Sequence, residues 1–243
     1  MSQLRYSRVL LKLSGEALRG DQPTGFDASV LEQLGQQVQE LYDRGVTLGL
    51  VIGGGNFVRG EQTSKHMPWF PREAADSIGM MATIMNGIAF QEVLRHRGLP
   101  CQLFSAKAVE GVVKTYSFSA LQNALAERKI VIFAGGTGHP FFTTDTTAAL
   151  RARQMEADVL IKATQVDGVY DADPRTHPDA KRYDRLSFDE VITQNLRVMD
   201  ATSITFCREY QLPILVVNLQ SRDHLQRAIA GDSVGTLINH PDC

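Results

Sequence analysis

Long apolar runs are missing from this chain of 243 residues. No segment approaches the roughly 18 uninterrupted apolar residues that a membrane-spanning helix needs. Cysteine is scarce: Cys101, Cys207 and Cys243 are odd in number and widely spaced, with no C-x-x-C pair and no Cys/His pairing of the kind that builds a zinc site. That excludes a disulfide framework and a zinc site, so a reducing cytoplasmic setting is expected and no metal ligands are assigned. Neither sign of charge dominates, because 25 Lys and Arg face 27 Asp and Glu for a net charge of −2. Without a global basic field, nucleic acid is not expected as the main partner, nor is an anionic membrane surface. The opening "MSQLRYSRVLLKLSGEA" lacks an export signature, since Lys12 interrupts its apolar stretch and no small-residue cleavage site follows. Internal repeats, low-complexity tracts and linkers are also lacking, so residues 1–243 are read as one unit with two lobes.

Several nucleotide signatures are absent as well. Placing G-x-G-x-x-G on Gly53 and Gly55 requires a small residue where Val58 stands, and "GTGHPF" ends on Phe141 instead of glycine. Gly55 and Gly60 have the glycine spacing of a P-loop, but Glu61 follows where lysine is required. There is no H-R-D, D-F-G or G-x-S-x-G. Any phosphate is therefore held by another scheme.

What the chain does contain is a steady alternation of β-rich apolar runs and stretches of helical period. "RVLLKLS", "VTLGLVIG", "CQLFS", "IVIFA", "VLIKAT", "PILVVNL" and "GTLIN" read as strands. Between them, Asp27 caps a helix carrying Leu31, Leu34, Val38 and Leu41, with Gly45 as its stop. A long helix is expected from about Ala74 to Arg97, with Ile78, Met81, Ile84, Met85 and Ile88 on one apolar face and two of Met80, Met81 and Met85 in the core. Shorter helices are expected over "FSALQNALAERK", "TTAALRARQMEA", Thr202–Gln211 and "RDHLQRAIAG", and a hairpin with loops after Thr164. The pattern predicts an α/β fold, a three-layer αβα sandwich around a mainly parallel sheet. Ligands bind such sheets beyond the carboxyl ends of the strands.

Four segments follow strands and carry the residues phosphates require: "KLSGEA", "GGGNFVRG", "GGTGHPFFTTD" and "KATQVDGVYDADP". Glycines let backbone N–H groups approach a phosphate, and cations complete the charge balance. Lys12 and Arg59 are the cations of this set, and Asp145 and Asp200 the carboxylates that could orient Lys12 or hold a metal. The plainer alternatives are an edge-strand role for Lys12, a core role for Phe141 and Phe142, a hairpin-surface role for Tyr170 and a helix N-cap at Asp76.

Together with "MNGIA", these segments stand in the order and spacing of one family over nearly the whole length. The chain resembles the bacterial UMP kinases (uridylate kinases) of the amino acid kinase family, which differ from the P-loop UMP/CMP kinases. The resemblance implies in-line phosphoryl transfer from ATP to UMP in pyrimidine nucleotide synthesis. It assigns Lys12, Leu13, Ser14 and Gly15 to the ATP phosphates, with Lys12 stabilising the transferring group. Gly55 and Arg59 would face ATP, and Thr164, Gln165, Tyr170 and Asp173 its adenosine. Gly54 would meet UMP, Asp76 its ribose, and Thr137, Gly138, His139, Pro140, Phe141, Phe142, Thr143 and Thr144 would cradle it. Asp145 would hold the catalytic lysine, and Asp200 matches a second central carboxylate. Mg²⁺ is implied as Mg-ATP, held mostly by phosphates and waters. His139 stands where relatives often have asparagine.

The resemblance further implies a homohexamer, UTP inhibition, and lobes of roughly 1–155 for the acceptor and 156–243 for the ATP nucleoside. GTP activation would use basic residues near Gln91–Arg97, Gln102 and Lys129 and an aromatic near Phe118. Here Gln91 and Gln102 are neutral while Arg95 and Lys129 keep their charge. A sister kinase acting on a carboxylate or carbamate, and a nucleotide-sensing or DNA-associated regulator, are the competing readings.

Overall fold

The computed structural model describes residues 4–58, 67, 69–174, 176–219 and 223–240. Its strands run β1 Arg8–Leu13, β2 Thr47–Ile52, β3 Cys101–Ser105, β4 Lys114–Thr115, β5 Ile130–Ala134, β6 Val159–Thr164, β7 Val169–Tyr170, β8 Arg182–Tyr183, β9 Arg185–Ser187, β10 Ile214–Asn218 and β11 Thr236–Asn239. The helices are α1 Gly15–Leu18, α2 Ala28–Asp43, α3 Arg72–His96, α4 Phe118–Ala126, α5 Thr144–Gln154, α6 Phe188–Thr193, α7 Ala201–Glu209 and α8 His224–Ala230. Nine strands form one sheet in the order β4-β3-β5-β2-β1-β6-β10-β11-β9, and β7 and β8 pair separately as an antiparallel hairpin. Every pairing in the large sheet is parallel except β10 with β11.

Alternation along the central strands decides which side chain meets which layer. Val9, Leu11 and Leu13 of β1 share a core with Leu34, Val38 and Leu41 of α2, Phe90 and Leu94 of α3, and Ile229 of α8. Leu10 of β1 and Leu160 of β6 point the other way, into a core with Leu121 of α4, Ala148, Ala149 and Ala152 of α5, and Ile204 of α7. Three layers result, helix on sheet on helix, and each fully buried leucine contributes about 1.5–3 kcal/mol of transfer free energy. By the same alternation Lys12 and Lys162, each two residues beyond a leucine of the second core, face the α5 layer.

Caps fix where the helices begin. The Asp27 carboxylate accepts from the N–H groups of Ser29 and Val30 at the start of α2, and Thr143 does the same for Asp145 and Thr146 at the start of α5. The stop near Gly45, with φ of 90°, and the hairpin after Thr164 also occur as the sequence predicts.

The long helix departs from expectation in its buried face. Ile84 is buried and Ile88 partly so, but Ile78, Met81 and Met85 are 43–48% exposed, and of Met80, Met81 and Met85, two of which are expected in the core, only Met80 is buried. Besides Met80, Ile84, Phe90 and Leu94, the buried face carries small and polar residues, Ala75, Ala82, Thr83, Asn86 and Gly87. It packs against glycine loops, where a large side chain has no room. A Cβ on Gly54 would stand 2.9 Å from the Ala82 Cβ and 2.8 Å from the Gly79 carbonyl oxygen.

A buried amide pair fastens this helix to the loop after β2. Asn86 donates through Nδ2 to the Gly53 carbonyl at 2.6 Å and to Asn56 Oδ1 at 2.7 Å. Asn56 returns Nδ2 to Asn86 Oδ1 and to the Gly25 carbonyl, both at 2.9 Å. Asn86→Ala leaves these groups unsatisfied, which should cost about 1–3 kcal/mol. Urea unfolding checks this: an unchanged midpoint at constant m-value would show that the pair is not made.

Candidate functional site

Strand order reverses between β1 and β6. On one side of β1 the sheet extends through β2, β5, β3 and β4, and on the far side of β6 through β10, β11 and β9. That reversal leaves a crevice at the carboxyl ends of the two strands, where doubly wound sheets bind ligands. Lys12 and Lys162 are register partners across this junction. Lys12 is thus on a central strand and only 8% exposed, which removes the edge-strand alternative.

Between the two ammonium groups stands Asp145, in the first turn of α5. Lys12 Nζ lies 2.6 Å from Oδ1 and Lys162 Nζ 2.8 Å from Oδ2. Lys162 Nζ also donates to the Val198 carbonyl. Burial raises the Asp145 pKa, but the opposing charges of Lys12 and Lys162 outweigh it and hold the carboxyl below its ordinary value of 3.8. Burial acts in the other direction on Lys162, and with the adjacent Lys12 charge it leaves that ammonium below 10.5 despite Asp145. Two ammonium groups thus flank one carboxylate in a partly desolvated crevice, with Asp200 a second carboxylate within electrostatic reach of Lys162.

Asp200 caps α7 through the Ser203 N–H at 2.8 Å. It accepts the Thr146 hydroxyl at 2.9 Å and the Thr143 hydroxyl in a short bond. It therefore ties the start of α5 to the start of α7 and keeps Asp145 in place. Asp145 Oδ1 is paired with Lys12 by charge alone and accepts no hydrogen bond, whereas both Asp200 oxygens accept them, and no cluster of three or more metal-ligating residues occurs among the described residues.

The glycine segments converge on the same crevice. A Cβ on Gly15 would stand 2.3 Å from the Gly53 carbonyl oxygen and 2.7 Å from the Gly55 nitrogen, so the two loops touch backbone to backbone. Thr83 of α3 accepts from the Gly135 N–H at 2.8 Å and fixes the third loop. Asp76 is not an N-cap, since Pro71 precedes the first helical residue. Its carboxylate accepts from Arg72 Nε and from the Phe141 N–H, each at 2.8 Å. Phe141 has φ of 70°, a strained conformation for a phenylalanine that this bond helps to hold. Phe141 and Phe142 are 62% and 50% exposed, so neither is core. Within the same loop Thr137 and His139 exchange hydrogen bonds through the Thr137 hydroxyl. Gly138 has φ of 87°, His139 is exposed and Pro140 half-buried, while Thr144 opens α5.

A cavity of about 540 Å³ joins Lys12, Ser14, Lys162, Thr164, Gln165 and Val166 along one side of the crevice. It brings together four of the residues assigned to ATP from sequence, while Leu13 is buried in the core beneath. Tyr170 and Asp173 lie on the hairpin beyond, Tyr170 half-buried and Asp173 exposed, and neither lines the cavity. Arg59 lies outside the described residues. Lys162, Thr146, Asn56 and Asn86 escaped selection from sequence. Lys162 had a signal, being the same residue type at the same approach to a strand end as Lys12.

The sequence model of the Amino acid kinase family matches residues 7–218. This chain belongs to the amino acid kinase family. It is 46% identical over 238 residues to the uridylate kinase of Methylococcus capsulatus, covering 98% of this chain and 99% of that one. The uridylate kinase of Vibrio cholerae is 46% identical, with 96% of each chain covered. Among solved structures, the UMP kinase from Bacillus anthracis superposes with a TM-score of 0.93 at 35% identity, covering 97% of both chains. Uridylate kinase from Archaeoglobus fulgidus gives 0.72 at 28% identity, over 95% of this chain and 99% of that one. The family accounts for the sheet order, the switch point and the strand-end glycines together.

The ion pairs of Asp145 make a prediction about pH. With its folded pKa depressed, Asp145 adds stability that is complete above its unfolded value and is lost as pH falls through the folded one. The stability difference between the parent and Asp145→Asn should therefore stay constant from neutral pH to about pH 5. It should shrink only in more acid solution, read by urea unfolding at a series of pH values. Shrinkage already at pH 6 would contradict the depressed pKa.

Proposed function

We propose that this chain transfers the terminal phosphoryl group of Mg-ATP to UMP, giving ADP and UDP for pyrimidine nucleotide synthesis. The observation that carries the reading is the Lys12–Asp145–Lys162 cluster at the switch point between β1 and β6. The uridylate kinase names of the full-length relatives support UMP as acceptor.

The chemistry needs no protein nucleophile. A UMP phosphate oxygen attacks the γ-phosphorus, forming one P–O bond as the bond to the β-phosphate oxygen breaks and its electron pair leaves with ADP. The protein must align attacking and leaving oxygens and offset the charge spread over the transferring group. Lys12 and Lys162 supply that charge, and Asp145 holds both ammonium groups in one orientation. Asp200 positions Asp145 through Thr143 and Thr146. Mg²⁺ would accompany the ATP substrate and help neutralise its phosphates, with Asp145 and Asp200 the nearest carboxylates of the crevice.

ATP is assigned the cavity lined by Lys12, Ser14, Thr164 and Gln165, with Leu13, Gly15, Gly55 and Arg59 at its phosphates and Tyr170 and Asp173 on the adenosine side. UMP is assigned Gly54, Asp76 and the loop 137–144, whose exposed Phe141 and Phe142 offer apolar surface to a base. The lobes divide the work at about residue 155. We further propose a homohexamer in the cytoplasm, inhibited by UTP. Gln91 is buried and the Gln102 amide is turned to the Leu103 carbonyl, so a GTP effect would rest on Arg95 and Lys129.

The direct test is a steady-state comparison of UMP, CMP, aspartate and carbamate as acceptors with Mg-ATP. UMP should give the highest kcat/KM, and turnover of a carboxylate or carbamate without UMP would overturn the reading. A second outcome concerns alkaline pH. Because burial lowers the Lys162 pKa, its ammonium loses its charge at a lower pH than an ordinary lysine as pH rises, so kcat/KM should fall on an alkaline limb that Lys162→Arg moves upward. An unmoved limb would take Lys162 out of the rate-limiting step.

A further inference from the structure

Beyond the cavity rim, the hairpin of β7 and β8 carries a charged cluster that phosphoryl transfer does not use. The rim itself is tied down twice. The Thr164 hydroxyl donates to the Val166 carbonyl, and Asn218 Nδ2 donates to the Gln165 carbonyl at 3.0 Å. The next residue, Asp167, accepts the Tyr170 hydroxyl at 2.6 Å and Arg182 Nη1 at 3.0 Å. Arg182 spans onward to Asp184 at 3.2 Å.

Between them the backbone is pressed against β11. A Cβ on Gly168 would stand 2.6 Å from the Thr236 hydroxyl and 2.7 Å from Arg182 Cδ. The buried Thr236 hydroxyl accepts from the Val169 N–H at 2.8 Å and donates to the Tyr183 carbonyl. Strands of two residues cannot hold a hairpin by their ladder alone. The side-chain clamp from Asp167 to Arg182 supplies what the ladder lacks, and it begins one residue after the cavity wall ends.

We infer that Asp167 and Arg182 are positioning residues for the nucleoside part of the phosphoryl donor. They act through residues 164–166 and Tyr170 without touching the transferring phosphate. The inference rests on the proposed assignment of that cavity to ATP. Loosening the clamp should weaken donor binding and leave acceptor binding and the chemical step alone.

The test compares Arg182→Met, Arg182→Lys and Asp167→Asn with the parent chain. Arg182→Met should raise KM for Mg-ATP about three- to fivefold, the effect of losing a partly exposed charged clamp, with KM for UMP and kcat within about twofold. Arg182→Lys, which keeps the charge, should recover part of that loss. Asp167→Asn should behave like Arg182→Met and serves as the second variant if Arg182→Met does not fold. Unchanged KM for ATP in both, or equal rises in the KM values of ATP and UMP, would overturn the inference. Calorimetric titration with ATP alone separates the two levels. A parent chain that binds ATP but does not phosphorylate UMP defeats the proposed acceptor, while the Arg182→Met to parent ratio of dissociation constants still decides the clamp.

Discussion

One carboxylate shared by two ammonium groups sets the rest of this structure. Lys12 and Lys162 come from neighbouring strands and face the same layer, and two such cations side by side would be costly without Asp145 between them. Their placement requires parallel strands in register, and that register comes from the apolar alternation on both sides of the junction. Asp145 in turn requires α5 to begin where it does, which the Thr143 cap and the Asp200 bridge enforce. The fold thus keeps two ammonium groups side by side at the carboxyl ends of its central strands, oriented by one carboxylate.

Around this cluster the polar contacts of α3 act as pins. Asn86 holds the loop after β2, Thr83 the loop after β5, and Asp76 the backbone at Phe141. Three loops of different chain origin are therefore referenced to one helix. Where it meets these loops the helix carries Gly79, Ala82, Thr83 and Asn86, while Ile78, Met81 and Met85 stay exposed. The glycines work in the same sense: Gly15 and Gly54 are sites where backbone meets backbone or helix, with no space for a side chain. The three glycines after β2, Gly53, Gly54 and Gly55, form a packing joint between the loop after β1 and α3.

Much of this was legible in the sequence. Strand alternation gave the layers, Asp27 the cap of α2, and the strand-end glycines with Lys12 and Asp145 the place of the site. The long helix misled, because a pattern of Ile and Met at helical spacing says which residues are apolar but not which face a glycine loop will claim. Lys162 was overlooked because its role depends on pairing across β1 and β6, a contact some 150 residues apart in the chain. Strands β4 and β9 and helix α6 are short enough that tertiary packing, more than propensity, decides them. That the Asp76 and Asp200 carboxylates each accept hydrogen bonds from protein groups, the Phe141 and Ser203 N–H among them, is a detail composition and spacing do not carry.

The central claim is that the paired lysines act on the transferring phosphoryl group and not only on nucleotide affinity. Single-turnover transfer from Mg-ATP to UMP, measured for Lys12→Met and Lys162→Met beside ATP dissociation constants for the same variants, tests it most directly. Transfer should slow by about 10²–10³-fold in each variant, far more than ATP affinity changes. Transfer at the parent rate in either variant, once ATP is saturating, would contradict it.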